Sequence, residues 1–262
     1  MTAVPTPRPP LDRSRLVATA PRWRVEVVDR AGSTNRLVGD RARAGERPGL
    51  VVVAEHQTAG RGRLDRTWET PARVALTFSV LLRPDVPLGR WPWLPLLAGV
   101  ACDEALASPA AAADVGLKWP NDVLVGGRKL GGILTELVET PTGPAAVLGI
   151  GLNVATAATD LPVPTATSLA VEGYDVDRTD LLLDLLDALA RWLDDWAGAD
   201  GVARLRAAYQ QRCATVGQQV RVDLPGGRVL DGTAERVDDH GRLVVDGVPV
   251  AAGDVVHTRS VP

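Results

Sequence analysis

Seven residues, "GRGRLDR" from Gly60 to Arg66, hold Arg61, Arg63 and Arg66 beside Gly60 and Gly62. Glycine lets backbone donors come close to a ligand. Arginine offers a planar fork for phosphate or carboxylate oxygens. The segment lacks the Gly-Lys-Ser/Thr ending of a P-loop and the spacing of a dinucleotide fingerprint. Alone it leaves three readings open: a polyanion patch, a phosphate-binding loop or a solvated turn.

A second cluster narrows them. "KWPNDVLV" places Asn121 and Asp122 after a proline, and "GRKLGGILTE" places Lys129 just before Gly131 and Gly132. Asn, Asp and Gly are good turn formers, but Lys118, Trp119 and Lys129 are not needed for a turn. A lysine near an arginine loop, with a carboxylate able to hold a divalent cation, would neutralise a triphosphate.

The elements that must position these groups alternate between strand and helix. "WRVEVVD" reads as a strand. "GSTN" then starts a helix, with Ser33 or Thr34 able to cap it. "GLVVVAEHQT" is a β-branched strand and "ARVALTFSVLL" the next, so the arginine segment is a loop between two strands. "LPLLAGVACDEALA" is an apolar helix, and "AAVLGIGLNVA" another apolar strand. "DRTDLLLDLLDALARWLDDW" is an amphipathic helix, with leucines at 182, 185, 186, 189 and 193. A further helix is expected at "GVARLRAAYQQR". From about Thr215 short valine-rich strands alternate with "PGG", "DHG" and "DG" turns, which predicts a small barrel. The expected organisation is a flexible proline-rich arm (1–20), a mixed α/β domain (21–213) and a small all-β domain (214–262).

The 262 residues suffice for a real core, and the net charge of -3 confines any polyanion chemistry to a local patch. Cys102 and Cys213 stand far apart, without C-x-x-C, which predicts neither a zinc knuckle nor a disulfide scaffold. His56, His240 and His257 are equally scattered. No apolar run has membrane-span length, and the N-terminus lacks the apolar middle of a signal peptide, so a cytoplasmic protein is expected.

In order and rough spacing, "GSTN", "EHQTAGRGR", Trp68, "KWPND", "GRKLGGILTE" and "GIGLNV" resemble the biotin protein ligases, from about Trp23 to the C-terminus. "GRGR" with "KWPND" and "RKLGGIL" together carry the resemblance. It implies an α+β fold: a mixed β-sheet flanked by helices, related to class II synthetases, followed by an SH3-like β-barrel. It implies two reactions. Biotin attacks the α-phosphate of ATP to give biotinyl-5'-AMP, and a lysine of a biotin carboxyl carrier domain of an acyl-CoA carboxylase then takes the biotin. ATP, Mg2+ and biotin are the implied ligands.

The same resemblance implies residue roles. Ser33, Thr34 and Gln57 line the ureido site, with Asn35 completing the turn. Arg61, Gly62 and Arg63 belong to a loop closing over biotin and the adenylate, and Gly131 and Gly132 form a flat floor. Lys129 holds the biotin carboxylate and the α-phosphate, and with Arg63 is the catalytic candidate. Asn121 and Asp122 face the phosphates, Asp122 being the candidate magnesium ligand. Arg66, Trp68 and Asn153 stand on the nucleotide side.

One position departs from the family pattern: Asp65 stands where a glycine is expected. It is expected to pair with Arg63 or Arg66 and hold the empty loop open. About twenty residues precede the first strand, too few for a helix-turn-helix, so no nucleic-acid partner is expected. No membrane partner is expected either. The family includes homodimers joined by sheet edges as well as monomers. The competing readings are a lipoate or octanoate ligase of the same fold, against which "GSTN" and "HQ" argue, and a non-enzymatic polyanion-binding module. The second predicts a basic face with aromatic platforms; the chain offers a single arginine cluster, one Phe and two Tyr.

Overall fold

The computed structural model describes residues 8–18, 22–63, 66–107 and 113–258. In chain order its elements are α1 (Arg13–Val17), β1 (Arg24–Val28), α2 (Thr34–Arg43), β2 (Leu50–Ala54), β3 (Gly60–Arg61), β4 (Thr67–Trp68) and β5 (Ala75–Leu82). Then come α3 (Leu94–Leu106), β6 (Val115–Lys118), β7 (Asp122–Val125), β8 (Arg128–Thr140) and β9 (Gly143–Asn153). The last are α4 (Arg178–Ala197), α5 (Gly201–Arg212), β10 (Gln219–Asp223), β11 (Val229–Val237), β12 (Leu243–Val245), β13 (Val248–Val250) and β14 (Asp254–His257). Two compact units emerge, 1–83 with 136–183 and 84–135 with 184–262. The β-rich tail shares a unit with α3, α5 and the start of β8.

In the first unit the strand order is β1-β2-β5-β9-β8. β1 runs parallel to β2, while β2–β5 and β5–β9 are antiparallel, so the sheet is mixed. β2 and β5 are buried at every residue, the pattern of strands covered on both faces. α2 lays Val38 and Ala42 on Leu50, Val52, Leu81, Val138 and Val147. The Ser33 hydroxyl caps this helix, accepting from the Arg36 amide at 3.4 Å.

Where a flexible arm is expected, the structure has a docked segment. Asp12 caps α1 by accepting from the Ser14 and Arg15 amides, and Leu11 and Leu16 are buried. Beneath them Arg178 and Glu55 form an ion pair at 2.8 Å, with side chains only 7% and 6% exposed. A buried pair is tolerated when its remaining donors and acceptors are met. The N-terminal segment meets them: Leu11 N–H donates to Glu55 Oε1 at 2.6 Å, and Arg178 Nη2 donates to the Pro9 carbonyl at 2.8 Å. Residues 1–7 of the expected arm, and 19 and 20, lie outside the described residues.

In the second unit β6, β7 and the start of β8 form an antiparallel run. The β-rich tail is a five-stranded antiparallel sheet of order β13-β12-β11-β10-β14, with an SH3-like fold. α3 is apolar nearly all round and correspondingly buried. The "KWP" turn is fastened to the residues around the small sheet. Trp119 N–H donates to Thr215 Oγ1 at 3.1 Å, its indole Nε1–H donates to the Gly241 carbonyl at 3.0 Å, and Ala214 N–H donates to the Leu117 carbonyl at 2.8 Å. Cys102 and Cys213 are free and buried; burial pushes the Cys102 thiol up to about 12. Among the described residues no helix is long and apolar enough to cross a membrane.

Candidate functional site

Backbone bonds zip "AGSTN" to "HQTA". Ala31 N–H donates to His56 O at 3.0 Å, Thr58 N–H to Ala31 O at 3.0 Å and Ala59 N–H to Gly32 O at 2.8 Å. This brings Gln57 over the start of α2. Its Oε1 accepts from Thr34 N–H at 2.9 Å and from the Thr34 hydroxyl at 3.1 Å. Next to them Ser79, fully buried on β5, sits 2.7 Å from Thr34 Oγ1 and 2.6 Å from Asn35 Oδ1. Asn35 Nδ2 donates to Glu136 Oε2 at 2.7 Å, and Arg61 Nη2 donates to both Glu136 oxygens at 2.8 and 3.0 Å. One continuous polar chain therefore runs Gln57, Thr34, Ser79, Asn35, Glu136, Arg61. A cavity of about 420 Å³ is lined by Gly32, Ser33, Asn35, Arg61 and Glu136, among others.

Glycines make room for these groups. A Cβ on Gly149 would lie 2.0 Å from Asn35 Oδ1, and one on Gly60 would lie 2.2 Å from Gln57 Nε2. A Cβ on Gly151 would strike the Trp68 indole at 2.8 Å, so that ring lies close against β9 at this glycine. The arginine segment is a hairpin rather than a plain loop: Gly60 pairs with Trp68 and Arg61 with Thr67. Gly62 N–H donates to Arg66 O at 2.6 Å. Arg63 is half-buried and Arg66 exposed. Asp65, with the pairing expected of it, lies outside the described residues.

The second group lies in the other unit. Asp122 pairs across the strands with Gly132 and Val123 with Gly131, yet Leu124 pairs with Lys129. Leu130 is thus the extra residue of a β-bulge, a device that re-aims a side chain. Lys129 Nζ donates to Asp122 Oδ1 at 2.6 Å, and both side chains remain partly exposed. Asn121 Nδ2 donates to the Ile133 carbonyl at 3.0 Å. A Cβ on Gly132 would meet Lys129 Nζ at an ordinary 3.8 Å.

Asn153 is buried, and its Nδ2 donates to the Thr167 carbonyl at 3.0 Å. Asp122, the candidate magnesium ligand, accepts from Lys129. Among the described residues no group of three His, Cys, Asp or Glu could cage a metal. These residues do not fit a protein-built metal centre. Magnesium that keeps its waters and rides on phosphates needs none.

Comparison with known proteins decides the family. Residues 27–153 match the biotin/lipoate A/B protein ligase family and residues 215–258 the biotin protein ligase C-terminal domain. The chain is 44% identical to a biotin–[acetyl-CoA-carboxylase] ligase of Mycobacterium tuberculosis, over 96% of this chain and 97% of that one. It belongs to the biotin protein ligase family. A bifunctional ligase/repressor of Bacillus subtilis is 33% identical over 83% of this chain and 68% of its own. Among solved structures, the biotin protein ligase of Aquifex aeolicus in complex with biotin and ATP superposes with a TM-score of 0.74. It shares 26% identity, over 90% of this chain and 99% of that one.

Two members of this ligase's polar chain, Ser79 and Glu136, are residues that sequence reasoning passes over. The signals are weak: one of two hydroxyls, with Thr77, in the mostly apolar strand "ALTFSVLL", and a carboxylate closing "GGILTE" in a strand that also carries Arg128, Lys129 and Glu139. Neither shows in advance which way its side chain points.

Proposed function

We propose that the chain forms biotinyl-5'-AMP from biotin and ATP and transfers the biotin to a lysine of a biotin carboxyl carrier domain of an acyl-CoA carboxylase. The observation that carries this reading is the double donation of Thr34 to Gln57 Oε1. Oε1 is thereby occupied, so the Gln57 amide presents Nε2–H, a donor suited to the carbonyl of a ureido ring, while hydroxyls stand ready for its N–H groups. Such a site discriminates strongly against a ligand lacking those groups, because its own polar atoms would be left unmet.

Residue roles follow. Ser33, Thr34, Asn35 and Gln57 hold the ureido head, and Arg61, Gly62 and Arg63 cover the carboxylate and the adenylate. Lys129 exchanges its Asp122 partner for the biotin carboxylate and α-phosphate, and its charge stabilises the developing phosphorane. Gly131 and Gly132 border the bicyclic ring. Asn121, Arg66 and Trp68 serve the nucleotide. Excluding water from the anhydride is the task of the covering loop. Homodimerisation through the C-terminal half of β8, where Leu137 is 60% exposed, belongs to the same proposal. The test is transfer of labelled biotin to a carrier domain, with and without ATP and magnesium. Transfer of lipoate instead would establish the sister activity, and no transfer of either acid would overturn the reading.

A further inference from the structure

Glu55 stands where two stretches of the site begin. Directly after β2, its backbone N–H donates to the Val28 carbonyl at 2.9 Å, and Val28 leads on to Ser33 and Thr34. Its own carbonyl accepts from Arg73 N–H at 2.7 Å. Residues 56–72 between them carry Gln57 and the arginine hairpin, so this one bond joins the two ends of that segment. Arg73 holds φ 65° there, a left-handed backbone that a non-glycine residue keeps where its surroundings fix it. The Glu55 side chain is fixed in turn. Oε1 accepts from Leu11 N–H and Oε2 from Arg178 Nη2, at 2.6 and 2.8 Å. The guanidinium also reaches the Pro9 carbonyl at 2.8 Å and the carbonyl of Ala75, at the start of β5, at 3.3 Å.

We propose that Glu55 and Arg178 are positioning residues for ligand recognition: their buried pair holds the foot of segment 56–72, and with it Gln57, in the place that meets the ureido ring. The inference rests on the biotin reading above. Stability alone does not account for the pair. Apolar side chains of similar volume serve a buried site as well as an ion pair does, because desolvation offsets the mutual attraction. What they cannot supply is direction. A carboxylate held by two donors, and a guanidinium fork held by three acceptors, fix the orientation of the chain at Glu55. At 7% and 6% exposure, neither side chain has bulk water as an alternative partner. Gln57, two residues on, takes both Thr34 donors on Oε1 at 2.9 and 3.1 Å, so a turn of the chain at Glu55 is felt there.

The experiment measures biotin affinity by calorimetry, kcat and melting temperature in wild type, R178M, R178K and the double variant E55M/R178M. R178M leaves a buried carboxylate unmatched and should lose both stability and affinity. The double variant removes both charges at similar volume, so its melting temperature should return to within a few degrees of wild type. Its biotin affinity should nonetheless stay about tenfold weaker, with kcat at saturating substrate within about twofold. R178K keeps the charge but loses the planar fork, and its affinity should fall about threefold, between wild type and R178M. Biotin affinity within about twofold of wild type in the double variant overturns the proposal. If that variant does not fold, R178K decides, and an affinity equal to wild type overturns it. A loss of affinity that tracks melting temperature across the variants shows general loosening and overturns it as well. Wild-type protein that bound no biotin would instead overturn the functional reading itself, an outcome visible before any variant is made.

Discussion

Thr34 and Gln57 meet through two donors and one acceptor: the amide and hydroxyl of Thr34 both point at Gln57 Oε1, at 2.9 and 3.1 Å. The pair joins the start of α2 to the residues after β2, so its loss should be felt as lost recognition before lost folding. Gln57→Met strands the buried Thr34 N–H, at about 1–3 kcal/mol. Isothermal calorimetry should show biotin affinity reduced at least about tenfold, with the melting temperature lowered by a few degrees. Unchanged affinity would remove Gln57 from the site.

Gly149→Ala is a sharper probe, because it adds a single carbon. That carbon would lie 2.0 Å from Asn35 Oδ1 and 2.8 Å from its Cγ, so the Asn35 side chain must leave its place. Biotin binding should fall by an order of magnitude or more. Gly151→Ala would strike Trp68 instead and should raise the KM for ATP more than that for biotin. Equal effects of the two substitutions on both substrates would contradict this division.

Lys129→Ala should cut adenylate formation at least about hundredfold, read as pyrophosphate release. The fold should survive, because a partly exposed pair such as Lys129–Asp122 contributes about 1 kcal/mol or less. Near-normal turnover would sink the assigned role.

His257 supplies a pH dependence. Burial first and Lys118 second hold its ring below the usual 6.5. The unfolded chain therefore binds a proton that the folded chain resists, and stability falls as pH drops. The contribution is complete above about pH 6.5 and is lost progressively below it. Melting temperature followed from about pH 7.5 to about pH 5 should drop more steeply in wild type than in His257→Gln. Parallel curves would show that this ring does not matter.

Trp119→Phe removes the indole donor and leaves the Gly241 carbonyl without it, in a fully buried setting. About 1–2 kcal/mol of stability should be lost, and KM for ATP should rise because Asn121 and Asp122 lie just beyond Pro120 in the chain. Denaturant unfolding together with initial rates would check both.

Much of this was legible in the sequence. The β-branched runs of β2 and β5, the "GSTN" cap and the leucine spacing of α4 each depend on near neighbours, and each forms as expected. The signature segments also find one another where backbone pairing is local, as Gln57 does with the start of α2. What stayed hidden depends on long-range geometry. Ser79 and Asn35 are 44 residues apart, and Asn35 and Glu136 are 101 apart. No spacing rule announces such a pair. The Asn153 bond to the Thr167 carbonyl, 14 residues on, is equally invisible to a motif. The N-terminal segment misleads by composition: its prolines suggest a free arm, while Leu11 and Leu16 supply the buried contacts that hold it.

That segment carries a practical lesson. The backbone of Pro9 and Leu11 is the stopper in a bottle whose contents are a guanidinium and a carboxylate. Glu55 lies two residues before Gln57, so losing the stopper would disturb the chain beside the residue proposed to meet the ureido ring. Trimming the chain back to its first strand, a routine step when shortening a protein for crystallisation, would uncork the pair and let water reach it. An expression vector should leave residues 9–17 intact and place any tag upstream of them or at the far terminus.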